Sequence, residues 1–313
     1  MSPRTPDPSG NGGRRSPDAP ARVPRLVALL QRPTPDSPFP PAARSLVRGL
    51  LVTASSPTYL LAGFALLPLL WLSLVAIGLD GPFGRLPNLL SLPPISTYVD
   101  SLNSTSMFGY GAEGFAATTG FLLVRAFVLA FLAGLAVAAV EGTPAAIGLV
   151  RGLRAVPATF VGSLLGLGLL LVGSVIFPLL GPGLGFLGSL LTLVAALVLF
   201  TYAPVVAVAT GLAGPDAVRT GMRAALMPGS RHLHLCLAYL FLCLPILAAL
   251  APEGPRLGVN PSVAAWAFAL VATYLHLGFL ATFAYRYLAV AESVPAAVPR
   301  TPRAPRAPRR RGA

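Results

Sequence analysis

The residue types that most often carry chemistry occur here in four places. Gly183, Gly185 and Gly188 spell G-x-G-x-x-G. That spacing cradles a dinucleotide pyrophosphate when a β-strand precedes it and a βαβ unit surrounds it. Here long apolar runs stand on both sides. The expectation is a tight turn and close packing at a helix start. His232, His234 and Cys236 alternate along the chain. On a helix, residues i and i+2 point about 200° apart, so one metal ion could not readily use both imidazoles. No supporting acids stand beside them. An interfacial histidine pair next to Arg231 is expected, with no metal and no cofactor. Cys236 and Cys243 lie seven apart on roughly one helix face, too far apart to bridge.

Two polar residues lie within apolar runs. His276 sits in "TYLHLGF" and Arg125 in "TTGFLLVRAFVLAF". An ionisable group at such a position faces the bundle interior or a cavity by default. His276 reads as a neutral helix–helix hydrogen-bond partner, or else as a proton relay, since its ordinary pKa is near neutrality. Arg125 is costly to bury, by about 3 kcal/mol on insertion scales. Three readings stay open for it. It snorkels outward to headgroups, it pairs with Glu113 or Asp100, or it forms an anion site at the outer mouth. An intramembrane enzyme needs a nucleophile, base or metal ligands converging inside the bundle. Ser163, Ser174 and His276 stand apart, and no carboxylate falls within a long apolar run. Catalysis is therefore not expected.

The elements that must position these groups follow from composition. Of the 313 residues, 55% are hydrophobic and only 11% charged, where a soluble domain carries about 25% charge. Runs of about twenty apolar residues suit the hydrocarbon thickness of a bilayer. The expected fold is all-α, a polytopic bundle of six transmembrane helices. They run from about Thr58 to Leu79, Phe121 to Val140, Ala158 to Leu180, Leu184 to Leu212, Leu233 to Leu250 and Val263 to Val290. The short turns at 181–183 and 252–261 make antiparallel hairpins. Ala126, Ala130, Gly134 and Ala138 form a small-residue seam, and Gly162 and Gly166 a GxxxG. Both let helices approach closely, within the bundle or between protomers. The outer segment from Asp80 to Thr119 reads as a connection, an interfacial helix or a lid.

The chain nearly repeats itself. "PAARSLVRGL" (41–50) precedes the first apolar run and "PAAIGLVRGL" (144–153) the third, while "DAVRTGMRAAL" (216–226) precedes the fifth. Arg48 aligns with Arg151 and Arg223, and Arg44 with Arg219. Each copy reads as a short basic amphipathic helix lying in the headgroup layer. The chain is then three repeats of amphipathic helix plus hairpin. The plainer reading is that the copies are only positively charged flanks.

"EGTPAAIGLVRGLRAVPATF" (141–160) and "YAPVVAVATGLAGPDAVRTGMRAALMPGSRHLHL" (202–235) carry a resemblance. Over roughly residues 41–290 the chain resembles a broad bacterial and archaeal six-helix membrane family. That family includes the membrane domain fused to some glycerophosphodiester phosphodiesterases. It often has an acid near the exit of the fourth helix, and "ATGLAG" (209–214) has none. The resemblance implies membrane residence, without the phosphodiesterase activity.

All 23 basic residues are arginine, and the net charge is +13. With the N-terminus inside, the cytoplasmic segments carry the eight arginines through Arg48, then Arg151, Arg154, Arg219, Arg223, Arg231 and Arg286, and six from Arg300 onward. The outer segments carry only Arg85 and Arg256. Both termini are expected in the cytoplasm of a multi-pass inner-membrane protein. No cleaved signal is expected. Residues 1–40 and 292–313 read as disordered Pro/Arg-rich tails flanking a 41–291 membrane domain. Arg300, Arg303, Arg306 and Arg309 recur every three residues and would stack on one edge of a polyproline II helix. Such an edge suits anionic lipid, and RNA or an acidic protein would meet the same charge, although nucleic acid is the less expected partner.

The function expected is non-catalytic: a membrane scaffold or accessory subunit. Arg44, Arg48, Arg151, Arg154, Arg219, Arg223 and the tail arginines would contact anionic headgroups, a protein partner or a second copy. The alternative is a transporter or channel component with Arg125 and His276 near the path.

Overall fold

The computed structural model describes residues 38–76, 111–212, 214–250 and 263–294, and every regular element among them is helical. Helix α1 (Ala42–Ser55) starts behind the Pro40–Pro41 pair and stops before Pro57. Pro57 lacks the N–H that would continue α1 but suits the first position of α2 (Pro57–Ala76). The chain axis turns by 84° between them. Helix α3 (Gly111–Glu141) begins inside the 80–119 segment, for which a connection, an interfacial helix and a lid were all open. It ends in a Schellman turn: Gly142 takes φ +71°, and the Thr143 N–H donates to the Ala138 carbonyl at 2.9 Å.

Helix α4 (Ala145–Ile176) merges two expected pieces, the amphipathic copy and the third apolar run. Pro157 does not divide them. Its ring is on the exposed side, while Ala155, Ala158 and Thr159 are buried against neighbouring helices. The fourth apolar run behaves the opposite way. A 3-10 turn (Phe177–Leu180) leads into α5 (Pro182–Phe200), and a break at Thr201–Tyr202 separates it from α6 (Ala203–Thr210). Pro204 has no N–H for the Phe200 carbonyl, and the Thr201 hydroxyl turns back to the Leu197 carbonyl. Helices α7 (Gly214–Leu226), α8 (His232–Leu250) and α9 (Val263–Val290) are the last of the described elements.

Small residues set the closest helix contacts. The α3 seam of Ala126, Ala130, Gly134 and Ala138 is buried, mostly against α4. A Cβ built on Gly148 would lie 2.6 Å from the Gly134 carbonyl oxygen, and one on Gly152 would lie 2.7 Å from that of Ala130. Helix α1 meets α9 in the same way, with a Gly49 Cβ only 2.5 Å from the Gly278 carbonyl oxygen. Helix α7 meets α6 at Gly221, where a Cβ would lie 3.1 Å from the Ala203 nitrogen. Gly162 of α4 faces Ala203 as well. The first helix described is thus seated on the last.

Among the described residues, Leu122–Glu141, Ala145–Leu170 and Gly183–Thr210 are long and apolar enough to cross a membrane. The bent α1–α2 pair is a fourth if counted as one span. Phe39 and Val294, which the sequence assigned to disordered tails, are both buried in the main apolar core.

Candidate functional site

Three polar centres are buried among these helices. The first is Arg286, on the penultimate turn of α9 and 1% exposed. Its guanidinium donates to the Pro40 carbonyl, to Ser45 Oγ at 3.2 Å and to the Ser230 carbonyl. The Phe39 ring lies 5.2 Å from the guanidinium carbon. One side chain therefore ties the stretch before α1, α1 itself and the α7–α8 turn to α9. These acceptors are neutral oxygens, so they satisfy donors without cancelling the charge. The sequence reading counted Arg286 only as a cytoplasmic flank. The available signal was its place in "FAYRYLAV", where apolar and aromatic residues surround it on every helix face.

Beside it stands an aromatic group that sequence did not assemble. Tyr202, at the α5–α6 break, stacks on His232 with centroids 4.4 Å apart. Phe283 packs edge-on against both. His232 Nε2 is 3.6 Å from Cys236 Sγ. His232 is buried and His234 exposed, as a two-residue step on a helix requires. Among the described residues, no group of three or more His, Cys, Asp and Glu could hold a metal ion.

His276 is buried on α9, and its Nδ1 is 2.9 Å from the Tyr239 hydroxyl of α8. At the next residue, the Tyr59 hydroxyl of α2 donates to the Leu277 carbonyl at 2.9 Å. The Tyr274 hydroxyl donates to the Leu50 carbonyl at 3.0 Å. Arg125 is 0% exposed on α3, on the face that also buries Leu122, Ala126 and Leu129. Asp100, one partner considered for it, lies outside the described residues. Arg125 and His276 occupy helices that pack on each other, α3 and α9.

The glycine fingerprint forms no nucleotide cradle. Gly183, Gly185 and Gly188 lie in the first turns of α5, behind Gly181 at φ +121°. Gly188 gives room to Phe177, whose ring carbon would stand 2.0 Å from a Cβ there.

The arginines of the amphipathic copies divide by face. On α1, Arg44 and Arg48 are exposed together with Val47 and Leu51, while Ser45 and Gly49 are buried. The Arg48 guanidinium carbon lies 5.9 Å from the Tyr285 ring centroid. On α4, Arg154 is exposed beside Ile147, Val150 and Leu153. Arg151 bonds Glu141 at 2.7 Å, across the turn from α3. On α7, Arg219 and Arg223 are exposed, Thr220 and Ala224 buried, and Arg219 lies 3.5 Å from Asp216. Arg300, Arg303, Arg306 and Arg309 lie outside the described residues.

Each face thus mixes guanidinium groups with branched apolar side chains. No family model, curated protein or solved structure matches this chain.

Proposed function

We propose that the chain is a six-span integral membrane protein of the inner membrane, with both termini cytoplasmic, acting as a non-catalytic scaffold or accessory subunit. Its three amphipathic segments lie at the headgroup level and present arginine to anionic lipid or to a protein partner. The observation that carries this reading is the shared division of faces on α1, the start of α4, and α7. Each buries small residues against a neighbouring helix and turns arginine outward, with branched apolar residues beside it. Such a surface suits the boundary between headgroups and acyl chains. The three helices hold corresponding places before α2, the rest of α4, and α8. Their supports are α9, α3 and α6, which favours a pseudo-symmetric ring of three units. The test is purification from native membranes in mild detergent, with and without residues 292–313, read by mass spectrometry. A stoichiometric partner that depends on the arginine-bearing segments is the expected result. A partner-free protein in both preparations would count against the subunit reading.

The burial of Arg125 and His276 on packed helices favours one second reading, a transporter or channel component. Solute flux in proteoliposomes decides it. Unchanged flux in both Arg125→Ala and His276→Ala would remove it.

A further inference from the structure

Arg286 keeps a positive charge inside the bundle that no described side chain balances. Its acceptors are the Pro40 and Ser230 carbonyls and Ser45 Oγ, all neutral. Of the acids with described side chains, Glu141 bonds Arg151, Asp216 lies against Arg219, and Glu292 is exposed. Helix α8 begins two residues after Ser230, and α9 ends four residues after Arg286. The positive end of the first and the negative end of the second therefore offset each other. A whole charge remains to be met, and a buried charge without a counter-charge is costly.

Two donors at that charge reach no acceptor. Arg286 Nε is buried and makes no hydrogen bond. The Tyr202 hydroxyl, also buried, lies beside the guanidinium, and no acceptor takes its proton. A guanidinium N–H and a hydroxyl proton both seek an acceptor, so the guest that suits them is an acceptor bearing negative charge. A water molecule would satisfy the donors and leave the charge. The rings of His232, Phe283 and Tyr287 enclose Tyr202, with centroids 4.4, 5.8 and 6.1 Å from its own. A tetrahedral oxyanion would have to push one of these rings aside, and a single-atom ion asks least of them. We infer that Arg286 Nε and the Tyr202 hydroxyl hold a monatomic anion, chloride under ordinary ionic conditions, as a buried counter-ion. The ion completes the junction at which Arg286 ties the stretch before α1 and the α7–α8 turn to α9, so it makes the stability of that junction depend on chloride.

The experiment uses the full chain in detergent, with radioactive chloride in equilibrium dialysis and gluconate holding the ionic strength constant. The parent should take up one chloride per chain, saturably, and bromide should compete for the same site. Tyr202→Phe keeps the ring stacked on His232 and removes only the hydroxyl. It should weaken binding by about tenfold to a hundredfold. Arg286→Gln should abolish binding, and if that variant fails to fold, Tyr202→Phe alone decides. At about a hundredfold excess of chloride over its dissociation constant, the unfolding midpoint of the parent should rise by about 5 °C. That of Tyr202→Phe should move much less at the same concentration. Uptake that never saturates would mean only screening of the exposed arginines and would overturn the site. Saturable uptake that Tyr202→Phe leaves unchanged would overturn it as well. Displacement of chloride by inorganic phosphate at equal concentration would overturn the monatomic assignment.

Discussion

At the scale of single residues, Arg286 is where a substitution tells most. Replacing it with alanine strips a donor from two carbonyls and from Ser45 Oγ. Each buried group left unsatisfied costs roughly 1–3 kcal/mol. Arg286→Ala should therefore lower the thermal unfolding midpoint in detergent well below that of the parent. Arg286→Lys keeps the charge but loses the planar fork, so it should fall between the two. If both variants melt with the parent, Arg286 does not hold these segments together. This role was hard to read from sequence because its partners lie 56 and 246 positions away, and two of them are backbone carbonyls, which have no letter. His276 was easier. Its type and its apolar surroundings pointed to a helix–helix hydrogen bond, although nothing in the letters selected Tyr239 as the partner.

At the scale of elements, the glycines separate contact from mere composition. Gly148 sits where an added Cβ would meet backbone of α3, and Gly168 in the same helix has nothing within 4 Å. Gly148→Ala should destabilise by about 1–3 kcal/mol, the range for overpacking. Gly168→Ala should be neutral or stabilising by up to about 1 kcal/mol, because alanine favours helix and loses less backbone entropy. Denaturation of the two variants side by side checks this, and equal losses would contradict the packing. Helix existence was legible from apolar run length. The eighth and ninth helices have almost the expected bounds, 232–250 and 263–290. The two prolines act in opposite ways. Pro157 is carried within a helix because its ring faces outward and its neighbours are pinned. Pro204, itself buried, coincides with a break because it has no N–H for the Phe200 carbonyl and its ring crowds that oxygen. Which outcome a proline produces depends on the face it occupies in the packed bundle, and a run of apolar letters hardly varies from face to face.

At the scale of the whole molecule, the proposed orientation sets the two ends of α4 on opposite sides of the bilayer. Ala146 stands at one end, and Leu180 lies just past the other, in the turn to α5. Both are exposed. In a background with Cys236 and Cys243 replaced by serine, Leu180→Cys should react with an impermeant maleimide in intact cells. Ala146→Cys should react only after permeabilisation. The reverse pattern would invert the orientation, and labelling of both in intact cells would contradict a span. The seating of α1 on α9 has a consequence in time. Synthesis proceeds at about 5–20 residues per second. The Leu50 carbonyl and the Tyr274 hydroxyl that caps it are 224 residues apart. Helix α1 thus leaves the ribosome roughly 10–50 seconds before the helix that receives it. Throughout that interval its seam of Ser45 and Gly49 must be kept by lipid or by a chaperone. A ribosome that stalls before α9 is made releases a chain whose α1 has nowhere to dock, and that undocked helix is the feature by which quality control could tell an unfinished copy from a finished one.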